Sequence, residues 1–436
     1  MSASLAGAPV FALQDGNNFY VSCERVFNPR LENKPVCVLS SNDGCAIARS
    51  SECKALGVKM GDPLFQLQDL VRRHGLICLS SNFALYGDLS ARVLEVLSQF
   101  SPDIEPYSID ENFVRVERMR LLWPDLTQMG QAMVARVKQW VNIPTCVGFG
   151  TSKTMAKLSN HVAKKNPQFG GVFDSTSYPA KELGALLATI SVGEVWGVGR
   201  RIAEKLNAMG IHTVQDLRQS SPKFIRSHFS VVMERTVAEL QGISCLDLED
   251  VAPPKQQIIS SKSFGTMVST QEELGEALTS YVTRAAEKLR AQRSVCGAVH
   301  VFVMTNRYTT RDPQYCNGIT IPLPNPSADT MALAGAALAG LKAIYRKGYA
   351  FKKTGVMLLD LSPAGIVQGS WFDQVEVQSR QSDVVMAALD SLNARFGRDT
   401  VTVAAAGTQK RWVARAENRT QRFTTRWTEL PKAYAK

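Results

Sequence analysis

Pro106-Tyr107-Ser108-Ile109-Asp110-Glu111-Asn112-Phe113-Val114 is an aromatic and β-branched run with two adjacent acids near its middle. Its apolar residues predict a strand. Neighbouring side chains on a strand point to opposite faces, so simple alternation cannot solvate both Asp110 and Glu111. An ionised carboxylate buried without compensation costs on the order of several kcal/mol. A cation therefore belongs beside them, and a divalent metal at a strand end or bend, reached by both acids, meets that need. The alternative is a pair of solvated acids on an exposed strand.

Upstream, Val10-Phe11-Ala12-Leu13-Gln14-Asp15-Gly16-Asn17-Asn18-Phe19-Tyr20 reads as a buried strand ending in a lone acid and a turn-prone cluster, with a helix following to Phe27. An acid at the C-terminal end of an apolar strand stands where the active sites of α/β sheets gather. Taken singly, Asp15 is an N-cap for the following helix. Together with Asp110 and Glu111 it completes three carboxylates, a number suited to holding two Mg²⁺ ions for phosphoryl or nucleotidyl transfer.

At 436 residues the chain exceeds what one hydrophobic core usually serves, so about two to four domains are expected. Lysine and arginine outnumber the acids 50 to 39, a net charge of +11 that favours a polyanionic partner, nucleic acid before anionic membrane. No run of about twenty apolar residues occurs, which removes the membrane-spanning class. Met1 to Pro9 has neither the basic nor the apolar region of a signal peptide. Nine cysteines stand singly without a Cys-x-x-Cys pair, so reduced thiols in a cytoplasmic protein are expected rather than disulfides or a zinc site.

Four stretches in order carry a family signature: Asp15-x-Asn17-x-Phe19-Tyr20, Ser41-Asn42-Asp43-Gly44-Cys45-Ala46-Ile47-Ala48-Arg49, Leu56-Gly57-Val58-Lys59-Met60-Gly61-Asp62-Pro63 and Ser108-Ile109-Asp110-Glu111. They resemble the Y-family translesion DNA polymerases, most of all the UmuC type, the catalytic subunit of bacterial DNA polymerase V. The resemblance implies an α/β multidomain, right-hand polymerase. Its parts would be a palm (1–27 and 81–179), small fingers (28–80), a helical thumb with a helix-hairpin-helix (180–250), a linker (251–257), a βαββαβ little finger (258–362) and a C-terminal partner-binding tail (363–436). It further implies error-prone synthesis past damaged template bases as part of an SOS-type response, and a cytoplasmic, nucleoid-associated protein.

Residue by residue, the resemblance makes Asp15, Asp110, Glu111 and the main-chain carbonyl of Gly16 ligands of two Mg²⁺ ions. Gly16 replaces a bulkier residue, a change that a backbone ligand survives. Tyr20 matches the steric gate, an aromatic ring standing where a ribose 2′-OH would lie. Arg49 and Lys54 both fall near the family's triphosphate contact, and Lys164 matches a second one. The partners implied are primer–template DNA and dNTP, a UmuD′-type accessory dimer, the β sliding clamp and a RecA-type recombinase filament.

The remaining chain fits this plan. Asp43-Gly44 predicts a tight turn between two short strands, and small Gly44, Cys45, Ala46 and Ala48 leave a roomy pocket roof. The helix after Thr151-Ser152 carries Lys153, Lys157 and Lys164 along a face read as solvated apart from Lys164. Gly197 and Gly199 precede Arg200 and Arg201 in a turn that opens a helix toward DNA phosphate. Strands and helices alternate from 258 to 361 as βαββαβ, with Lys262, Arg284, Lys288, Arg307 and Arg311 offered to DNA. Gln368, Trp371 and Phe372 match a clamp-binding peptide, although Gly369 and Trp371 replace the usual leucines. A helix near 380–396 precedes a basic stretch with Trp412, Phe423 and Trp427, a composition suited to partner docking or single-stranded DNA.

Two other classes compete. A metal-dependent nuclease would use the same acids but has no use for a sugar-gating tyrosine. A non-catalytic DNA-binding factor would be indifferent to loss of Asp110.

Overall fold

A computed structural model of the chain describes residues 8–249, 254–309, 311–364, 375–408 and 412–432, with the backbone alone for 375–381. These fall into two units, one of Met1–Ser40, Gly44–Ala252 and Asn418–Lys436, the other of Ser41–Asp43 and Pro253–Glu417.

The first unit begins with β1 (Phe11–Gly16) and α1 (Phe19–Phe27). Asn18, in the left-handed region at φ 49°, stands at the start of α1 without a capping side chain, so Asp15 is not the helix cap its position allowed. Next come β2 (Val36–Leu39), β3 (Ala46–Arg49), α2 (Ser51–Ala55), α3 (Gln68–His74) and β4 (Ile77–Ser80), forming a small sheet of order β3-β2-β4. The β2–β3 turn is wider than expected. Its left-handed residues are Asn42 and Asp43 at φ 64° and 50°, while Gly44 is not, because a short 3-10 turn carries the reversal. Asn and Asp tolerate that region better than other side-chain-bearing residues.

The larger sheet follows. It is built with α4 (Phe83–Leu97), β5 (Ile104–Pro106), β6 (Glu111–Arg115), α5 (Leu126–Val141), β7 (Thr145–Gly150), α6 (Lys153–Lys165) and β8 (Val172–Asp174), in strand order β5-β6-β1-β7-β8. The opening stretch is therefore not one strand. β5 ends at Pro106 and β6 starts at Glu111, with a turn between them that the apolar run disguises. The Ser108 hydroxyl fixes this turn by accepting the N–H groups of Asp110 and Glu111 (3.3 and 3.1 Å) and donating to the Asp110 carboxylate (2.7 Å).

Phe11, Ala12 and Leu13 of β1 are wholly buried because both faces of the sheet are covered. One face packs on α4 and α5 and the other on α6. α6 can lie this close only because β7 has no side chain where the two touch. A Cβ on Gly148 would stand 2.0 Å from the main-chain nitrogen of Asn160, and one on Gly150 2.5 Å from that of Ala156. The Asn160 amide then ties α6 to the sheet by donating to the carbonyls of Leu13 and Cys146. Five short helices, α7 (Ala180–Leu187), α8 (Arg200–Ala208), α9 (Val214–Gln219), α10 (Pro222–His228) and α11 (Val231–Leu240), share a core with the outer side of α6.

In the second unit, β9 (Ile258–Val268), α12 (Gln271–Ala291), β10 (Ser294–Thr305), β11 (Cys316–Ser327), α13 (Thr330–Ile344) and β12 (Phe351–Pro363) keep the expected βαββαβ order. Their sheet, β11-β10-β12-β9, is antiparallel throughout. α14 (Val375–Phe396) comes next. Trp412 and Phe423 are not offered to a partner. Trp412 is buried edge-on against Tyr281, and Phe423 stacks on Phe27 at 4.7 Å, because burying such large apolar rings outweighs leaving them wet. Trp427 is exposed. All nine cysteines are free thiols.

Gly148→Ala should destabilise the protein by about 3 kcal/mol, since its methyl group meets backbone rather than a side chain that can swing aside. Urea unfolding of the variant against the wild type measures this.

Candidate active site

The β1–β6 pairing sets Asp15 directly opposite Glu111, and the Gly16 N–H donates to the Asp110 carbonyl at 2.8 Å. Residues facing each other across an antiparallel pair point to the same side. Here that side is α6, which supplies the counter-charges: Lys164 meets Asp15 at 2.5 Å and Lys157 meets Glu111 at 2.7 Å. Lys153 is buried in a pair with Glu105 at 2.5 Å. The lysine face expected to be solvated is thus ion-paired, because three acids of the sheet lie beneath it. Sequence reasoning gave Lys157 no role and did not find Glu105.

A cleft of about 390 Å³ opens beside these acids, lined by Asp15, Gly16, Asn18, Phe19, Tyr20, Ile47, Ala48, Arg49, Lys54, Met60, Asp110 and Lys164. Of the residues expected to hold metal, gate the sugar or bind triphosphate, Asp15, Gly16, Tyr20, Arg49, Lys54, Asp110 and Lys164 line this cleft, while Glu111 is turned to Lys157. Arg49 and Lys54, between which the sequence did not choose, both line it. Arg49 donates to the Val58 carbonyl (2.8 Å) while its Nε is buried without a partner. Lys54 donates to the Asn18 side chain, and burial with Arg49, Lys164 and Lys165 nearby holds its ammonium below the usual lysine range. Tyr20, half-buried, stacks on Tyr86 with ring centroids 4.6 Å apart. Burial and the charge of Asp110 push its phenol up. Gly16 has its own reason for lacking a side chain, since a Cβ would stand 2.8 Å from the Phe19 ring.

Burial pushes the Asp15 carboxyl from its ordinary 3.8 up to about 6; Lys164 opposes the rise, while Glu111 and Asp110 add to it. Among the described residues no three His, Cys, Asp or Glu side chains are gathered tightly enough to ligate one ion as they stand. The donor set nonetheless suits a hard divalent cation. It is all oxygen, and its central acid resists ionising with one ammonium as its counter-charge.

Family models described as "impB/mucB/samB family" and "impB/mucB/samB family C-terminal domain" match residues 14–161 and 255–371, and residues 383–433 match a domain of unknown function, DUF4113. Protein ImpB of Salmonella typhimurium is 43% identical over 97% of this chain and 99% of its own, and protein UmuC of the same species, strain LT2, is 44% identical over the same shares. The chain belongs to the impB/mucB/samB family. It is a UmuC-type Y-family DNA polymerase, a translesion enzyme. DNA polymerase IV of Moorella thermoacetica is 28% identical over 89% of this chain and 94% of its own. Among solved structures, a Y-family DNA polymerase chimera of Dbh matches 81% of this chain and 99% of its own at 18% identity, with a TM-score of 0.62. An insertion ternary complex of Dbh DNA polymerase covers the same shares at 0.53. These likenesses are of the Y-family polymerase fold.

Elsewhere in the polymerase, Gly197 at φ +87° needs its left-handed backbone, while Gly199 has an ordinary φ and stands just before α8. A Cβ on either would meet nothing within 4 Å, so both backbones are open to a partner. Arg200 and Arg201 are exposed, Arg200 pairing loosely with Glu204. Lys262 is exposed, and Arg307 lies over the Tyr308 ring at 5.0 Å. Gln368, Trp371 and Phe372 lie outside the described residues.

Because the folded pKa of Asp15 lies above its unfolded value, the unfolded chain releases this proton first and folding weakens as pH climbs between the two. In metal-free buffer the wild type should lose up to about 3 kcal/mol relative to Asp15→Asn between pH ~4 and ~6. The difference should vanish below pH ~4 and shrink in the wild type when Mg²⁺ is added. Urea unfolding across this range checks it.

Proposed function

We propose that this cleft is where the polymerase joins a deoxynucleotide to a primer 3′-OH. The single observation that supports the reading is that acids, cations and an aromatic ring share one cleft: Asp15 and Asp110 beside Arg49, Lys54 and Lys164, with Tyr20 among them. Phosphoryl transfer asks for this combination, since charge develops on the transferring group and must be met by fixed positive charge.

Asp15, Asp110, Glu111 and the Gly16 carbonyl would hold two Mg²⁺ ions. When bound, these ions lower the charge on the reacting oxygens of an in-line displacement. Arg49, Lys54 and Lys164 bind the triphosphate. Lys164 serves twice, neutralising Asp15 in the empty site and turning to phosphate as a point charge when the nucleotide arrives. Lys157 leaves Glu111 in the same exchange. The 3′-oxygen forms a bond to the α-phosphorus as the bond to pyrophosphate breaks, and the chain's cations hold the departing group. Tyr20 sits under the sugar and rejects a 2′-OH by clash.

The domain limits follow the same reading: palm 1–27 and 81–179, fingers 28–80, thumb 180–250, little finger 258–362 and tail 363–436. Gly197, Gly199, Arg200 and Arg201 grip duplex phosphate through free N–H groups and side-chain charge, joined by Lys262 and Arg307. The clamp peptide is Gln368, Trp371 and Phe372. The accessory partners are a UmuD′-type dimer and a RecA-type filament, in the cytoplasm at the nucleoid. No helix among the described residues is long and apolar enough to cross a membrane.

Primer extension across a damaged template, with accessory proteins and clamp added, tests this. The labelled strand should lengthen, and a nuclease would shorten it. Asp110→Ala should cut extension by roughly 10³-fold or more while DNA binding persists; full retention of extension would remove the acids from the chemistry. Tyr20→Ala should lower discrimination against ribonucleotides by roughly 10–10²-fold with DNA affinity unchanged, as judged from single-nucleotide insertion rates.

A further inference from the structure

Tyr20 is held from behind by groups that the catalytic reading does not use. Its ring stacks on Tyr86 and meets Phe83 edge-on at 5.8 Å, both on α4. The Tyr86 hydroxyl donates to the carboxylate of Glu24 on α1 at 2.7 Å, and both residues are fully buried. The same Glu24 oxygen accepts the Thr420 hydroxyl at 3.2 Å. Asn82 stands at the N-cap of α4, yet makes no side-chain cap bond. Its amide instead donates to the Thr420 carbonyl and hydroxyl and to the Gln421 carbonyl, at 3.3, 3.0 and 3.0 Å. Ser80, just before α4, and Asn418 exchange two further bonds, and Phe423 stacks on Phe27 at the end of α1. Residues 418–423 therefore clip α1 to α4 beneath the Tyr20–Tyr86 pair.

The polar groups involved have few alternatives. Asn82 is 2% exposed and Glu24 not at all, and the second Glu24 oxygen is buried with no partner. Loss of the Thr420 hydroxyl would take from buried Glu24 one of the two side-chain donors it has among the described residues, an imbalance that relaxes by moving the helices that carry it and Tyr86.

We propose that the strap formed by residues 418–423 is a positioning element for Tyr20. By fixing the spacing of α1 and α4 it sets how far the ring stands into the cleft, and so how strictly the sugar is read. The inference rests on the reading of Tyr20 as the sugar gate. It gives a task to part of the 383–433 region, whose family description assigns none. Rejecting one hydroxyl depends on a wall that does not yield, and a misplacement of about 1 Å is enough to forfeit much of such an effect.

The test uses the full chain with its accessory proteins and measures kcat/KM for dNTP and for the matching rNTP on one primer–template. Thr420→Val with Phe423→Ala should lower the dNTP-over-rNTP ratio about tenfold, chiefly by raising rNTP use, with dNTP efficiency within about twofold of wild type. Thr420→Ser, which keeps the hydroxyl, should behave as wild type. An unchanged ratio in the double variant, with Tyr20→Ala losing discrimination, overturns the strap's role and leaves the gate intact. An unchanged ratio in Tyr20→Ala as well overturns the gate reading, and the strap's role with it. A parallel fall in both nucleotides overturns the proposal in favour of simple stabilisation. If the double variant fails to fold, Thr420→Val alone decides by the same ratio.

Discussion

Two carboxylates do not approach one another of their own accord; something stronger must hold them. In this protein it is the backbone ladder of β1 between β6 and β7, which sets Asp15 opposite Glu111 and draws Asp110 in through its own carbonyl. The ladder is rigid because both faces of the sheet are buried. Burial in turn makes the ionised Asp15 costly and pushes its carboxyl up. That cost is offset by α6, whose Lys157 and Lys164 reach the acids only because Gly148 and Gly150 let the helix settle onto the β7 backbone. Glycine in a strand looks like weakness, yet here two of them place the counter-charges.

The opposite wall of the cleft has the complementary imbalance. Burial, helped by the charges of Arg49, Lys164 and Lys165, holds the Lys54 ammonium below its usual range. A concentration of positive charge beside a concentration of negative charge, joined by the Lys164–Asp15 pair, is a site with its charges folded in on themselves. On the proposed reading, a bound nucleotide and its metal would separate the two sets, giving the lysine a phosphate and the carboxylate a cation. Each would then sit in a better field than before.

Much of this was legible in the sequence, and the reason lies in length. The second unit's strands and helices are long, so their βαββαβ order falls where the pattern puts it. Short features fared worse. The turn at 107–110 hides inside an apolar run because Tyr107 and Ile109 look like strand residues, and the signal that reveals it, a serine bonded to two following N–H groups, exists only in three dimensions. The helical period of α6 gave the right apolar face, but nothing local says that Lys153 is buried against Glu105. The tail misled for the opposite reason. Composition made its aromatics free surface, whereas tertiary packing put Trp412 in one core and Phe423 against another.

A polymerase that crosses damaged bases has to be lax and strict at once, and on the proposed reading the cleft separates these demands onto different walls. The side built from Ile47, Ala48 and Met60 is thin: alanine offers little bulk and methionine bends, so a distorted base placed there would meet few fixed atoms. The Tyr20 side is the reverse. Its ring is stacked on a buried tyrosine, which is bonded to a buried acid on the same helix as Tyr20 itself. The ring that Tyr20 stacks on is itself held by a buried hydrogen bond, so the stack has few low-energy alternatives. On that reading, tolerance of the base would follow from atoms left out, and selection of the sugar from atoms unable to move. Either property can therefore change without the other.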